Sequence, residues 1–289
     1  MDETTPLRQG VSRRTFLTTS AVIGVGAVLG SGSAGLAWSA PPPDCGNKND
    51  NGPRFYLWEQ VKDRTDKTPA GTNIVIVRPA AQPDPNRVQY YAIRKGGDVP
   101  GASNDLLLLP TNRIKGIECS FLWQPPQQNL WAHSWTEAVG RLHPTPNATI
   151  VLGVNSAQAR SQDQLHIHLT QVNHATLEDL RKIKPPSDIN KWMTTNYVLR
   201  VNDRDRNHKT PAQIRRDAHF RVVKYTGFLP NLFADLKRLL PPGEKMETQM
   251  LGVVSTGVPN TYYLLNSTPG LPGGGTGAAD YIFGWPPKP

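Results

Sequence analysis

The stretch QLHIHLTQ, residues 164–171, alternates polar and apolar side chains without a break. In a strand successive side chains point to opposite faces. Leu165, Ile167 and Leu169 are therefore predicted to enter a core, while Gln164, His166, His168 and Thr170 line the other face. Two imidazoles on one polar face admit three readings: a wetted strand, a pair of metal ligands, or a nucleophile and its partner. Imidazole nitrogen attacks phosphorus to give a phosphoramidate that water later cleaves, so two easy displacements replace one hard one. A metal site usually needs a third ligand. No Glu or His follows at a suitable spacing, and Glu178 falls on the next predicted helix, so neither a metal nor a cofactor is expected. A two-histidine phosphoesterase would need a second His-x-Thr on a paired strand. His174 lies only six residues from His168, and His143 sits in a Pro-rich turn.

Working outward, ATIVLGVN (148–155) reads as a central strand that should pair with the histidine strand. The turn between them, SAQARSQD, is rich in donors. With Asn155 at the strand end, it brings Arg160, Ser161 and Gln162 toward the imidazoles. Strands are also predicted in TNIVIVRP, VQYYAIRK, DLLLLP, QMLGVVS and TYYLLN. Helices are predicted in RFYLWEQVKD, behind an Asn129 cap through NLWAHSWTEAVGRL, from a Thr176–Asp179 capping box through Ile183, and from about Asn231 to Leu240. No internal repeat is evident. The pattern predicts an α+β domain with a mainly antiparallel sheet and flanking helices.

Alternating histidines with apolar residues between them resemble the histidine-triad superfamily, whose motif is His-φ-His-φ-His-φ-φ. The longer string GVNSAQARSQDQLHIHL, with DLLLLPTNRIKGIE upstream, resembles bacterial CDP-diacylglycerol pyrophosphatases over about residues 55–266. The resemblance implies a histidine-triad-like fold and cleavage of a liponucleotide to CMP and phosphatidate. It places the nucleophile on His166 and the third triad histidine on His168. Gln164 occupies the first triad position; glutamine can hydrogen-bond a phosphate oxygen but cannot relay a proton. Asn155, Ser161 and Gln162 match polar residues that hold phosphate and ribose, and Arg160 joins them as a phosphate-binding candidate. Thr170-Gln171 stands where relatives often have Ser-Cys. Two other functions fit the same residues: an exported phospholipid- or nucleotide-binding protein without turnover, or a hydrolase of other nucleotide pyrophosphates.

The 289 residues carry a formal net charge of +9, which suits an anionic partner. A liponucleotide or nucleotide pyrophosphate is expected as substrate, and an anionic membrane surface as a further partner. No nucleic-acid motif is visible, so nucleic acid is not. Eight basic residues between Arg200 and Lys224 are interleaved with Asp203, Asp205 and Asp217, which reads as a solvated loop and helix face or as an electropositive rim. Trp131 and Trp135, one helical turn apart, read as core or as the floor of a pocket. At the N-terminus, Arg13-Arg14 precede Phe16-Leu17 and a Gly-rich apolar run, the form of a twin-arginine export signal. The predicted organisation is an export signal over 1–40, a linker over 41–53, the hydrolase domain over 54–266 and a Gly/Pro-rich tail, disordered or draped on the surface, over 267–289. The expected location is the periplasm or the outer face of the cytoplasmic membrane. In an exported protein Cys45 and Cys119 can pair as one disulfide.

Overall fold

Runs rich in β-branched and aromatic residues become strands, and amphipathic runs behind an Asn become helices. The computed structural model describes residues 43–62, 64, 73–80, 89–96, 105–124, 128–142, 146–202 and 217–284. The chain runs α1 (Tyr56–Val61), β1 (Ile74–Ala80), β2 (Gln89–Lys95), β3 (Leu106–Pro110), α2 (Leu130–Arg141), β4 (Ile150–Val154) and β5 (Ile167–Gln171). It continues through α3 (His174–Lys182), β6 (Asn196–Arg200), β7 (Asp217–Thr226), α4 (Leu232–Leu239), β8 (Met250–Ser255) and β9 (Thr261–Ser267). Among the described residues these strands form one sheet in the order β1-β2-β3-β5-β4-β8-β9-β7-β6. Every ladder is antiparallel. The α+β architecture is the one expected, and the histidine strand pairs with its apolar predecessor from Ile150↔Gln171 to Gly153↔His168.

The expectation of no internal repeat does not hold. The units β2-β3-α2-β4-β5 and β6-β7-α4-β8-β9 have the same connectivity and, within the sheet, mirror-ordered positions. They meet where β4 pairs antiparallel with β8, and Gly153 lies opposite Gly252. Their sequences echo only in Leu152-Gly153-Val154 and Leu251-Gly252-Val253. A repeat preserved in topology and in so few residues gives no fixed-period signal along the chain.

One face of the sheet is covered by α2 and α4. Leu165, Ile167 and Leu169 point there with Leu152, Val154, Trp131 and Phe233, as their parity requires. Each such side chain, fully removed from water, contributes about 1.5–3 kcal/mol. Trp131 packs on Phe233, with ring centroids 5.3 Å apart, and Trp135 packs edge-on against Tyr262 at 4.8 Å, so both belong to this core. Asn129 and Asn231 cap α2 and α4 with their side-chain oxygens. For α3 the cap is Asn173, one turn before the predicted capping box. Thr176 is occupied elsewhere: its hydroxyl donates to the Arg200 carbonyl at 2.6 Å.

The opposite face has two separate covers. α1 lays Leu57, Trp58 and Val61 over β1–β3. Across β4–β9 the cover is α3 together with residues 279–283. The Gly/Pro-rich stretch expected to be disordered or draped is therefore folded back over the sheet. Its apolar end, Ala279, Ile282 and Phe283, is fully buried. The glycines at the meeting line make room for it: a Cβ on Gly153 would lie 2.6 Å from the Phe283 ring, and one on Gly252 2.8 Å from Ile282.

Of the charged stretch from Arg200 to Lys224 the structure describes the two ends. β6 and β7 are strands there, missed because charges interrupt their alternation. Arg200 is tied to Glu178 and Asp179, and buried Arg221 to Glu244, so neither contributes to an open basic rim. Arg204, Arg206, Lys209, Arg215 and Arg216 lie outside the described residues, as do the predicted export signal and the linker residues before Pro43. Cys45 and Cys119 form a disulfide.

Candidate active site

His166 and His168 lie at the seam between the two covers. Parity turns them away from the α2/α4 core. The face they reach is closed on one side by α1 and on the other by residues 279–283. A row of residues on neighbouring strands crosses this face: Arg94, Leu107, His168 and Gly153. The rings of His166 and His168 are 5.0 Å apart and inclined at 68°. The Phe283 ring stands 5.2 Å from His168 on its other side. Asp105, one residue ahead of β3, places its carboxylate 3.7 Å from His168 Nδ1.

His166 Nδ1 is 2.7 Å from the Gln164 carbonyl oxygen. A carbonyl oxygen only accepts, so Nδ1 carries the proton and Nε2 holds the free lone pair. Burial, followed by the neighbouring His168, lowers the His166 pKa from 6.5 to about 3, and the charges of Arg160 and Arg94 push the same way. The ring is thus neutral at any physiological pH, with a defined tautomer and one nucleophilic nitrogen.

The other predicted site residues divide sharply. Gln164 is fully buried. Its Nε2 donates to the carbonyls of Pro110 and Asn112, both at 2.9 Å, and its Oε1 accepts from Arg113 and the Ile114 amide. All four bonding positions of the amide are therefore taken, and the expected contact to phosphate is replaced by a grip on the turn after β3. What Gln164 offers His166 is its backbone carbonyl. Arg160 lines the cleft beside His166 with Gly116, Val154 and Asn155. Its guanidinium is held by Glu118 at 2.7 and 2.5 Å and by Asp163 at 3.0 Å, so it acts through its charge. Asp163 in turn accepts from Arg54, whose bond is the largest cause of its pKa falling to about 2. Asn155 also borders the cleft, with Oδ1 accepting from the Ala279 amide at 2.6 Å and Nδ2 donating to Asp280 at 3.3 Å. Ser161 is exposed on the turn. Gln162 is turned away and bonds Pro53 and the Leu57 amide, fastening α1 to the sheet.

Three neighbours escaped the sequence reading. Asp105 and Arg94 are visible in hindsight as charged residues sharing a strand face with apolar ones: Asp105 with Leu107 and Leu109, Arg94 with Ala92. Phe283 carried no usable signal, since only the folded chain brings it to His168.

A neutral buried imidazole, fixed through Nδ1 beside a second histidine and a carboxylate, is equipped for attack on phosphorus. A family model described as CDP-diacylglycerol pyrophosphatase matches residues 56–282, which includes both histidines, Arg94, Asp105, Asn155, Arg160 and Gln164 and ends one residue short of Phe283. The chain belongs to the CDP-diacylglycerol pyrophosphatase family. It is 30% identical over 179 residues to the probable CDP-diacylglycerol pyrophosphatase of Mycobacterium leprae, covering 59% of this chain and 61% of that protein. It is 36% identical over 81 residues to the CDP-diacylglycerol pyrophosphatases of Mycobacterium bovis and Mycobacterium tuberculosis, covering 27% of this chain and 31% of each. The matched region thus spans less than two thirds of these CDP-diacylglycerol pyrophosphatases. The family match runs past β9 to residue 282, so all but the last residue of the strap of residues 279–283 lies within it.

Proposed function

We propose that this protein hydrolyses the pyrophosphate of CDP-diacylglycerol to CMP and phosphatidate through a nucleotidyl-histidine, on a histidine-triad-like fold. The observation that carries the reading is the His166 Nδ1–Gln164 carbonyl bond on a ring whose buried surroundings keep it neutral. Nε2 attacks the cytidylyl phosphorus, the bond to the bridging oxygen breaks, and phosphatidate departs with that oxygen. The imidazolium so formed keeps its Nδ1 proton on the Gln164 carbonyl, which stabilises the positive charge and keeps histidine a good leaving group. Water then attacks the same phosphorus and gives its proton to His168, backed by Asp105, and His166 leaves as neutral imidazole. Gln164 cannot protonate the leaving group. A departing phosphate monoester has a second pKa of only about 6, so it leaves as an anion without that proton.

The test is quenched-flow trapping with substrate labelled at the cytidylyl phosphorus. Label should appear on histidine in the wild type, and His166→Ala should lose turnover by several orders of magnitude. Near-normal turnover in that variant, or turnover without labelled histidine, refutes the mechanism. Soluble dinucleotides and sugar nucleotides assayed in parallel define the substrate class.

The proposal extends to location. The Arg13-Arg14 signal supports export by the twin-arginine route, and a lipid substrate together with the basic net charge supports work at the anionic outer face of the cytoplasmic membrane. Among the described residues no helix is long and apolar enough to cross a membrane. Changing Arg13 and Arg14 together to Lys should block export; undiminished export excludes that route.

A further inference from the structure

Four arginines are buried among the described residues: Arg94, Arg113, Arg160 and Arg221. Three are neutralised by carboxylates: Arg113 by Asp50, Arg160 by Glu118 and Asp163, and Arg221 by Glu244. Arg94 differs. It is only 4% exposed, yet its protein contacts are neutral oxygens. Nε donates to Gln60 Oε1 at 2.6 Å and Nη1 to the Lys95 carbonyl at 2.9 Å. Among the described residues no carboxylate forms an ion pair with it, and Nη2 has no acceptor. Taking an unpaired charge out of water is costly, so a buried cation without a counter-ion is retained where a ligand supplies one.

The register says which ligand. Arg94 lies opposite Leu107 and Leu107 opposite His168, so Arg94 and the histidines share one sheet face two strands apart, roughly 10 Å at the backbone. The field of Arg94 is among those felt at His166. The guanidinium is also fixed in direction: Gln60 holds it from α1, and the Tyr56 ring lies 5.5 Å from Cζ.

We infer that Arg94 binds the phosphate that leaves, holding the phosphoryl group next to the one His166 attacks and neutralising the charge that grows on it as the bridging bond breaks. The inference rests on the proposed pyrophosphate cleavage. It also accounts for Gln164 at the first triad position: a proton donor is dispensable where a fixed cation meets the departing anion.

The experiment compares wild type, Arg94→Gln and Arg94→Lys on two substrates sharing the cytidylyl group. One is CDP-diacylglycerol, and the other is the 4-nitrophenyl ester of CMP, whose leaving group has no phosphate. Arg94→Gln should lose roughly 100-fold or more in kcat/KM on the first, the scale of a lost charged donor to a developing anion. On the second it should lose no more than a few-fold, with Arg94→Lys intermediate on the first only. Thermal unfolding without ligand should show Arg94→Gln as stable as wild type or more so, and inorganic pyrophosphate should raise the wild-type Tm more than the variant's. Equal loss on both substrates, a lower ligand-free Tm for both variants, or an unaffected Arg94→Gln each overturns the inference. Wild type that ignores CDP-diacylglycerol but keeps an Arg94-dependent response to pyrophosphate overturns the substrate reading and leaves the anion site standing.

Discussion

Lowering the pH from neutral to 5 should destabilise this protein through His166, and the size of the effect follows from its burial. In the unfolded chain the imidazole titrates near its ordinary pKa of 6.5; in the fold it titrates at about 3. Between those values the unfolded state binds the extra proton, so stability is fully present above about pH 6.5 and declines as pH falls toward 3. At about 1.4 kcal/mol per pH unit, moving from neutral pH to pH 5 costs about 2 kcal/mol from this one residue. Any folded pKa below about 4 gives the same figure, because the folded ring is then already neutral at pH 5. Urea unfolding of wild type and His166→Gln at pH 8 and pH 5 isolates the effect, since groups common to both proteins cancel. With an m-value near about 3 kcal/mol/M, the wild-type midpoint should fall by about 0.7 M more than the variant's. His168→Gln run alongside controls for the neighbouring ring. Equal losses in wild type and His166→Gln would show that the ring is not held neutral, and the nucleophile assignment would lose its physical basis. Single-turnover labelling of histidine should likewise survive at pH 5.

Two further outcomes follow from the packing. The Cys45–Cys119 bridge closes a loop with a sequence separation of 74, so chain entropy alone makes it worth about 4 kcal/mol. Because Asp50 pairs with Arg113, and Arg113 bonds Gln164, reduction should also lower activity before it unfolds the domain; full activity in reductant would show the two to be uncoupled. Gly153→Ala must displace the rigid Phe283 ring beside His168, whereas Gly252→Ala meets only the flexible end of Ile282. The first should cost about 1–3 kcal/mol and most of the activity, the second less of both; calorimetry and turnover showing the reverse order would exclude the strap as a support of the site.

The strands whose alternation is driven by burial were legible, because a core-facing row must be apolar whatever else the strand does. Leu165, Ile167 and Leu169 announced both the histidine strand and its inward face. β6 and β7 were hidden because edge and near-edge strands tolerate charge: Arg200 and Arg221 sit in them with partners drawn from α3 and from Glu244. The strap was hidden for a different reason. Its Gly/Pro composition describes residues 268–278, while four apolar or aromatic residues at its end do the packing. At the site, the histidines were legible but the hydrogen-bond partners around them were not. Gln164, Arg160 and Gln162 have the right chemistry for phosphate, yet their polar atoms are consumed by the turn, by Glu118 and by α1. Partners distant in the chain decide whether a donor is available, and no local pattern records them.

The repeated topology lets the two faces of the histidine strand be compared with their counterparts in the second unit. Gly153 pairs with His168 in the first unit, and Gly252 pairs with Leu265 in the second, so Leu265 occupies the place of His168 and Tyr263 that of His166. On the alternate positions, Leu165 and Ile167 correspond to Tyr262 and Leu264, and all four face the common core under α2 and α4. The core-facing row is therefore apolar or aromatic in both units, while the other row carries imidazoles in the first and leucine and tyrosine in the second. The covers explain the asymmetry. In the second unit that row is packed by α3 and residues 279–283, and it belongs to a continuous apolar cluster in which an unpaired imidazole would be desolvated without use. In the first unit the same row lies between the α1 cover and the strap, where Asp105 and Arg94 add charges. The strap crosses the meeting line of the two units at Gly153 and Gly252, so a single segment packs over the row of the second unit and sets Phe283 beside His168 in the first. The two units thus differ in what flanks this row: α1 and Phe283 stand on either side of the histidines in the first, whereas α3 and residues 279–283 pack Tyr263 and Leu265 into one apolar cluster in the second.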